Sequence, residues 1–117
     1  MHIRKSILVS LLVCAPALAG ILQNAAPTVT LSPNRILRGG IVQMKGAGFT
    51  PKAGIISHLR RPDGSEFPTL PMMSNDRGEI AHEIETYILE PGVYEVWVED
   101  KTAKKTSTPV RLEVTRT

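Results

Sequence analysis

From Val93 to Glu99 the chain reads Val-Tyr-Glu-Val-Trp-Val-Glu, and from Val110 to Val114 it reads Val-Arg-Leu-Glu-Val. This period of two limits the fold more than any other feature, because it is the side-chain period of a strand and not of a helix. It sets Tyr94, Val96 and Val98 on one side and Glu95, Trp97 and Glu99 on the other. Val110, Leu112 and Val114 are likewise set against Arg111 and Glu113. The alternation returns in shorter stretches divided by turn formers. Thr28–Leu31 precedes Ser32-Pro33-Asn34, and Ile41–Lys45 lies between Gly39-Gly40 and Gly46-Ala47-Gly48. Ile55–Arg60 ends at Arg61-Pro62-Asp63-Gly64, where proline presets one turn dihedral and glycine supplies a positive φ. Glu66–Leu70 is punctuated by Pro68 and Pro71, which predicts an edge strand or a loop. Glu79–Glu85 follows the turn Asn75-Asp76-Arg77-Gly78, and Thr108–Thr115 is the last segment. About seven short segments at spacings of roughly 8–12 residues, with no sustained helical period in this region, predict an all-β antiparallel sandwich. Its core is expected to take Val42, Met44, Ile55, Leu59, Ile80, Ile84, Tyr94, Val96, Val98, Val110, Leu112 and Val114.

The first residues follow a different logic. Met1–Lys5 carries Arg4 and Lys5, Ser6–Val13 is mostly apolar, and Ala17-Leu18-Ala19 precedes Gly20. A basic start, a short apolar stretch and a small-x-small end define a secretory signal peptide, here residues 1–19. The apolar stretch is too short for a bilayer span, which takes about 20 residues. Leu11-Leu12-Val13-Cys14 resembles the box that directs acylation of bacterial lipoproteins, but Val13 stands where that box needs a small residue. Cleavage after Ala19 is therefore expected to remove Cys14, and a lipid anchor is disfavoured. The 117 residues carry 14 Lys+Arg against 11 Asp+Glu. Losing Arg4 and Lys5 brings the net charge from +3 to +1, in a 98-residue chain without cysteine. Such a chain must be held by core packing alone, with no disulfide framework and no cysteine zinc site. Residues 20–27 are expected to be a flexible lead-in, and 28–117 the domain.

The order of the motifs carries a resemblance. Leu31-Ser32-Pro33, Gly39-Gly40 and Gly46-x-Gly48-Phe49-x-Pro51 come first, followed by Pro62-Asp63-Gly64, Asp76-Arg77-Gly78 and Pro91-Gly92-Val93-Tyr94-Glu95-Val96. This succession, over residues 28–115, resembles bacterial immunoglobulin-like domains. The resemblance implies an immunoglobulin-like β-sandwich of about seven strands, without the disulfide and core Trp of antibody domains. Gly46 and Gly48 are expected to leave room for a kink where a strand leaves its sheet, with Phe49 plugging the sandwich end. Tyr94 stands where a tyrosine corner would return its hydroxyl to nearby backbone.

Catalytic and metal chemistry find little support. His58 and His82 lack ligand spacing to one another, and no cysteine accompanies them. His82 is in register with Ile80 and Ile84, which reads as a half-buried histidine bonded to backbone. Asp63, Asp76 and Asp100 read as turn formers, without the dense carboxylates of a calcium loop. Ser57, Ser74 and Ser107 lie in strands or turns with no nucleophile elbow. Gly46–Pro51 lacks the third glycine and the helix of a dinucleotide loop. Lys101, Lys104 and Lys105 make a basic tip adjoined by Glu99 and Asp100, too thin for a nucleic-acid patch.

One surface remains. With Trp97 and Glu95 facing out, Ile56, His58 and Arg60 on a neighbouring strand would face the same side, with Arg111 and Glu113 as a third row. Trp97 is the chain's one tryptophan, a residue type enriched at binding hot spots; the plainer role is cross-strand cover beneath Arg60 or Arg111. The resemblance implies a non-catalytic, exported module without cofactor, standing alone in the periplasm or outside the cell. It would engage a protein or cell-surface component. The alternative is a small-ligand or metal-ion binder using end loops with His58 or His82.

Overall fold

The computed structural model describes residues 26–116. The signal peptide, Cys14 and residues 20–25 of the lead-in lie outside the described residues. Among these, nine strands follow in order: β1 (Thr28–Ser32), β2 (Arg35–Leu37), β3 (Ile41–Ala47), β4 (Gly54–Arg60), β5 (Leu70–Met73), β6 (Ile80–Glu85), β7 (Gly92–Asp100), β8 (Lys105–Thr106) and β9 (Val110–Thr115). One sheet has three strands in the order β1-β3-β6. The other has the order β2-β9-β7-β4-β5, with β8 paired to β7. All ladders are antiparallel except β2 with β9.

Six of the seven expected segments coincide with strands, the seventh, Glu66–Leu70, meets β5 only at Leu70, and β2 and β8 are additional. After β1 the chain leaves its sheet, and Arg35–Leu37 joins the other one beside Glu113–Thr115. The expected final strand, Thr108–Thr115, begins only at Val110 as β9, and β8 precedes it across a gap at Ser107-Thr108-Pro109. Ser107 closes that gap: its amide donates to the Val98 carbonyl, and its Oγ accepts the Val98 amide at 2.8 Å. Pairing also resumes later than expected after the turn at Pro62–Gly64. Glu66 makes only a lone bridge with Arg60, and β5 begins at Leu70. Pro68 cannot donate to a ladder, and Pro71 is tolerated because β5 is an edge.

Alternation places the core between the sheets. Nine of the twelve expected residues are buried, and Leu59, Ile84 and Val110 pack against them from partly exposed positions. Each fully buried aliphatic side chain contributes roughly 1.5–3 kcal/mol. The sequence pattern did not mark Val29 or Leu89, which are also buried. Pro27, expected in the loose lead-in, is fully buried beside Gly48.

Gly48, with φ +88°, bends the chain just past the end of β3, but Gly46 acts differently from expectation. Gly46 stays in the ladder, opposite Val29 and Ile80, so no kink forms there. Its missing side chain makes room instead: a Cβ would come 2.8 Å from both Ile80 Cγ1 and Phe49 Cε2. Phe49 is buried as the end plug. Gly78 (φ +71°) sits against it, where a Cβ would collide with the Phe49 carbonyl.

Candidate functional site

The antiparallel register sets the outer face of the larger sheet. On β4 and β7, His58 lies opposite Trp97, Arg60 opposite Glu95, and Ile56 opposite Glu99. On β9, Arg111 lies opposite Glu95, and Glu113 opposite Val93. The expected three rows therefore exist.

At the centre, the His58 and Trp97 rings stack with centroids 4.9 Å apart and planes 4° from parallel. The Arg60 guanidinium carbon lies 4.7 Å from the Trp97 ring centroid, within cation–π range. Arg60 Nη1 also donates to Glu95 Oε1 at 3.1 Å, so one guanidinium ties the ring to the carboxylate opposite. Of the two expected covers for Trp97, Arg60 takes the position. His58 is further fixed through both ring nitrogens, with Nδ1 3.4 Å from Glu66 Oε1 and Nε2 3.3 Å from Glu99 Oε1. Its side chain is only 17% exposed, whereas Arg60 and Glu95 remain above 40%. Ile56 shares the face by alternation.

Glu66 is the member that the sequence reading left out. It arrives because the turn at 62–65 folds the chain back beside β4. Asp63 Oδ1 accepts the Ser65 amide at 2.9 Å and the Ser65 hydroxyl at 2.6 Å. These bonds, the hydroxyl's first, hold the Asp63 carboxyl below its ordinary pKa of 3.8. Arg61 then closes the turn, its Nη1 donating to the Glu66 carbonyl at 3.0 Å while its guanidinium covers Phe67. The signal for this was the Pro-Asp-Gly turn itself, which requires the chain just after it to run back along the preceding strand.

The cluster is polar and centred on one histidine. Glu66 and Glu99 approach different nitrogens of His58, so their oxygens do not converge. Among the described residues no group of three or more His, Cys, Asp or Glu is placed to hold a metal ion. His58 and His82 both lie within strands, and one of the carboxylates beside His58, Glu66, comes from the connection after β4. His82 is half-buried on the inward side of β6, as its register implied, but its ring has no hydrogen-bond partner among the described residues, contrary to the expected backbone bond.

Two of the three serine hydroxyls, those of Ser74 and Ser107, are engaged in the fold. Ser74 Oγ accepts the Ala53 amide at 2.9 Å and donates to the Thr50 carbonyl at 2.5 Å. Ser107 Oγ is held by Val98. The Tyr94 hydroxyl donates to the Glu90 carbonyl at 2.7 Å, the expected corner. Burial, reinforced by the nearby Glu90 carboxylate, raises its pKa.

No protein-family model and no curated protein matches the sequence. Several solved structures resemble the fold. Macromomycin superposes with a TM-score of 0.53 at 13% identity, over 79% of this chain and 100% of that one. CHIR-AB1 gives 0.49 at 19% identity, over 78% and 99%. The PKD domain of an M14-like peptidase from a Thermoplasmatales archaeon gives 0.44 at 21%, over 78% and 92%. The likeness to macromomycin spans the whole of that protein and is a likeness of fold. Together with the two-sheet order and the Tyr94 corner, it makes this chain an immunoglobulin-like β-sandwich.

Proposed function

We propose that the domain is an exported, non-catalytic binding module that engages a protein or cell-envelope component through the outer face of its larger sheet. The observation that carries this reading is Trp97. It is held flat against His58 and beneath Arg60, on a face whose other prominent groups are charged. An aromatic anchor already fixed in one orientation loses little side-chain entropy on binding, and Trp and Arg are the residue types that dominate interface energetics. Glu95, Glu99, Arg111 and Glu113 surround it with both signs of charge, which suits a polar rim. The cleavable signal expected at residues 1–19 would deliver the domain to the periplasm or beyond.

The test is photo-crosslinking in the exporting cell, with a benzophenone side chain at Glu95 or Arg111, and at Thr28 or Thr30 on the smaller sheet as controls. A discrete adduct from the first pair alone, abolished by Trp97→Ala, is expected. Equal adducts from both sheets, or an adduct indifferent to Trp97→Ala, would overturn the proposal. The mass of the exported protein should correspond to a chain beginning at Gly20; a lipid-modified Cys14 would overturn the soluble form.

A further inference from the structure

We infer that the free edge of β6, with the groove beside it, binds an extended peptide segment in which apolar residues alternate with Lys or Arg. The site is separate from the Trp97 face and does not depend on it.

The argument starts from the sheet edges. β6 is an outer strand of the three-stranded sheet. The Thr86 amide donates to the Gly40 carbonyl, continuing the β3–β6 register by one residue. In an antiparallel ladder the hydrogen-bonded positions alternate, so Ile84, His82 and Ile80 turn their backbone groups toward β3. Ala81, Glu83 and Glu85 therefore turn theirs away from the sheet, offering three N–H and three C=O groups to an added strand. The other edges are blunted: β1 is flanked by Pro27 and Pro33, β2 has three residues, and β5 contains Pro71. β6 has six residues and no Pro or Lys, and of the usual guards of an edge it carries only the outward charges of Glu83 and Glu85.

Side chains define what that strand would carry. On its inward side, β6 borders a groove of about 720 Å³. His82 and Ile84 line one wall, Leu59, Phe67 and Leu70 the opposite wall, and Ile88 its end. Leu70 and Ile88 are 40% and 60% exposed. A strand added to β6 would send every second side chain into this groove, where apolar groups are required. The intervening side chains would lie beside Glu83 and Glu85 on the outer face. Glu83 is held by Gln43 Nε2 at 2.9 Å, and no cation of the described residues pairs with Glu85. Lys45 shares that face but lies one strand inward, opposite Ala81. Cationic residues in the partner strand complement these two carboxylates. The same charges disfavour a second copy: an antiparallel β6–β6 pair centred on Glu83 would set glutamate against glutamate.

The probe is an N-acetylated octapeptide alternating Val and Lys, titrated into isotopically labelled domain and read by amide hydrogen exchange and chemical shifts. Controls are a peptide of the same composition with Val and Lys in separate blocks, and an alternating Val–Glu peptide. Saturable slowing of exchange at Ala81, Glu83 and Glu85 is expected with the Val–Lys peptide only, in wild type and in Trp97→Ala alike. The double variant Glu83→Lys/Glu85→Lys should weaken that binding by roughly tenfold and admit the Val–Glu peptide, as expected from replacing two cross-strand attractions with repulsions. Ala81→Pro removes one free-edge N–H without touching the β3 ladder and should also weaken it. Equal binding of the block peptide, shifts confined to another edge, indifference to the double charge swap, or concentration-dependent dimerisation through β6 would each overturn the inference.

Discussion

Asp100 offers the sharpest test of how the end of the sandwich is held. It is the last residue of β7, directed inward and 1% exposed. Its Oδ2 accepts the Thr50 amide at 2.7 Å and the Thr50 hydroxyl at 2.9 Å, while Oδ1 accepts the Ala103 amide at 3.1 Å. One carboxylate thus ties the β3–β4 loop to the β7–β8 turn. Asp100→Ala leaves two backbone donors without their acceptor, at about 1–3 kcal/mol each when buried, and removes a charge-assisted hydroxyl bond as well. We expect a loss of about 3–5 kcal/mol, a large part of the roughly 5–15 kcal/mol that such a domain possesses. At about 4–8 °C per kcal/mol for this size, the melting temperature should fall by roughly 15–30 °C. Asp100→Asn keeps one acceptor oxygen for Thr50 but turns an NH₂ toward the Ala103 amide, so about half that loss is expected.

The pH dependence separates a carboxylate role from a purely steric one. Burial raises the Asp100 pKa, but the Thr50 and Ala103 donors outweigh it and hold the carboxyl below its ordinary value of 3.8. The unfolded chain therefore takes up the proton first. The stabilisation is complete above the ordinary value and is lost as pH falls through the depressed one. Urea denaturation at neutral pH and across the acid range reads both effects. The wild type should lose stability below pH 3.8 more steeply than Asp100→Asn. A neutral-pH loss under about 1 kcal/mol for Asp100→Ala, or parallel acid profiles, would refute the reasoning.

Two further substitutions probe the fold locally. Tyr94→Phe removes the bond to the Glu90 carbonyl and should cost about 1–2 kcal/mol by chemical denaturation, with faster amide exchange in residues 86–90. Gly46→Ala drives a methyl group toward Ile80 and Phe49 and should cost about 1–3 kcal/mol, with shifted Phe49 ring resonances.

What was legible in the sequence was whatever depends on alternation along one strand. Val93–Glu99 alone assigns Tyr94, Val96 and Val98 inward and Trp97 outward, and the next strand's own alternation puts His58 and Arg60 on the Trp97 face. Features that depend on chain meeting chain were hidden. Arg35–Leu37 is too short to show a period and becomes a strand only because Glu113–Thr115 lies beside it. Leu89 sits in a stretch with no strand pattern, and is buried because the Thr86–Leu89 turn folds it under the sandwich end. Asp100 looks like any turn aspartate, since nothing nearby in sequence announces that Thr50 will supply its donors. Glu66 joins His58 only because the turn at Pro62–Gly64 brings the chain back beside β4, a contact that alternation along one strand does not show.

These hidden contacts also decide where recognition can take place. At the end carrying Phe49, Ser74 and Asp100 spend their oxygens on Thr50, Ala53 and Ala103. At the other, Thr86 accepts the Gly39 amide at 2.9 Å and donates to the Gly40 carbonyl at 2.7 Å, while Tyr94 holds Glu90. Loops tied down by buried polar side chains lack the adaptability that end-loop binders use. What stays available are the sides: the outer face of the larger sheet and the open β6 edge of the smaller one. β4 borders both, because its period of two gives His58 and Arg60 to the face and Ser57 and Leu59 to the groove. With both ends fastened, the two proposed surfaces would share one mode of recognition, contact from the side by strands and faces rather than by loops.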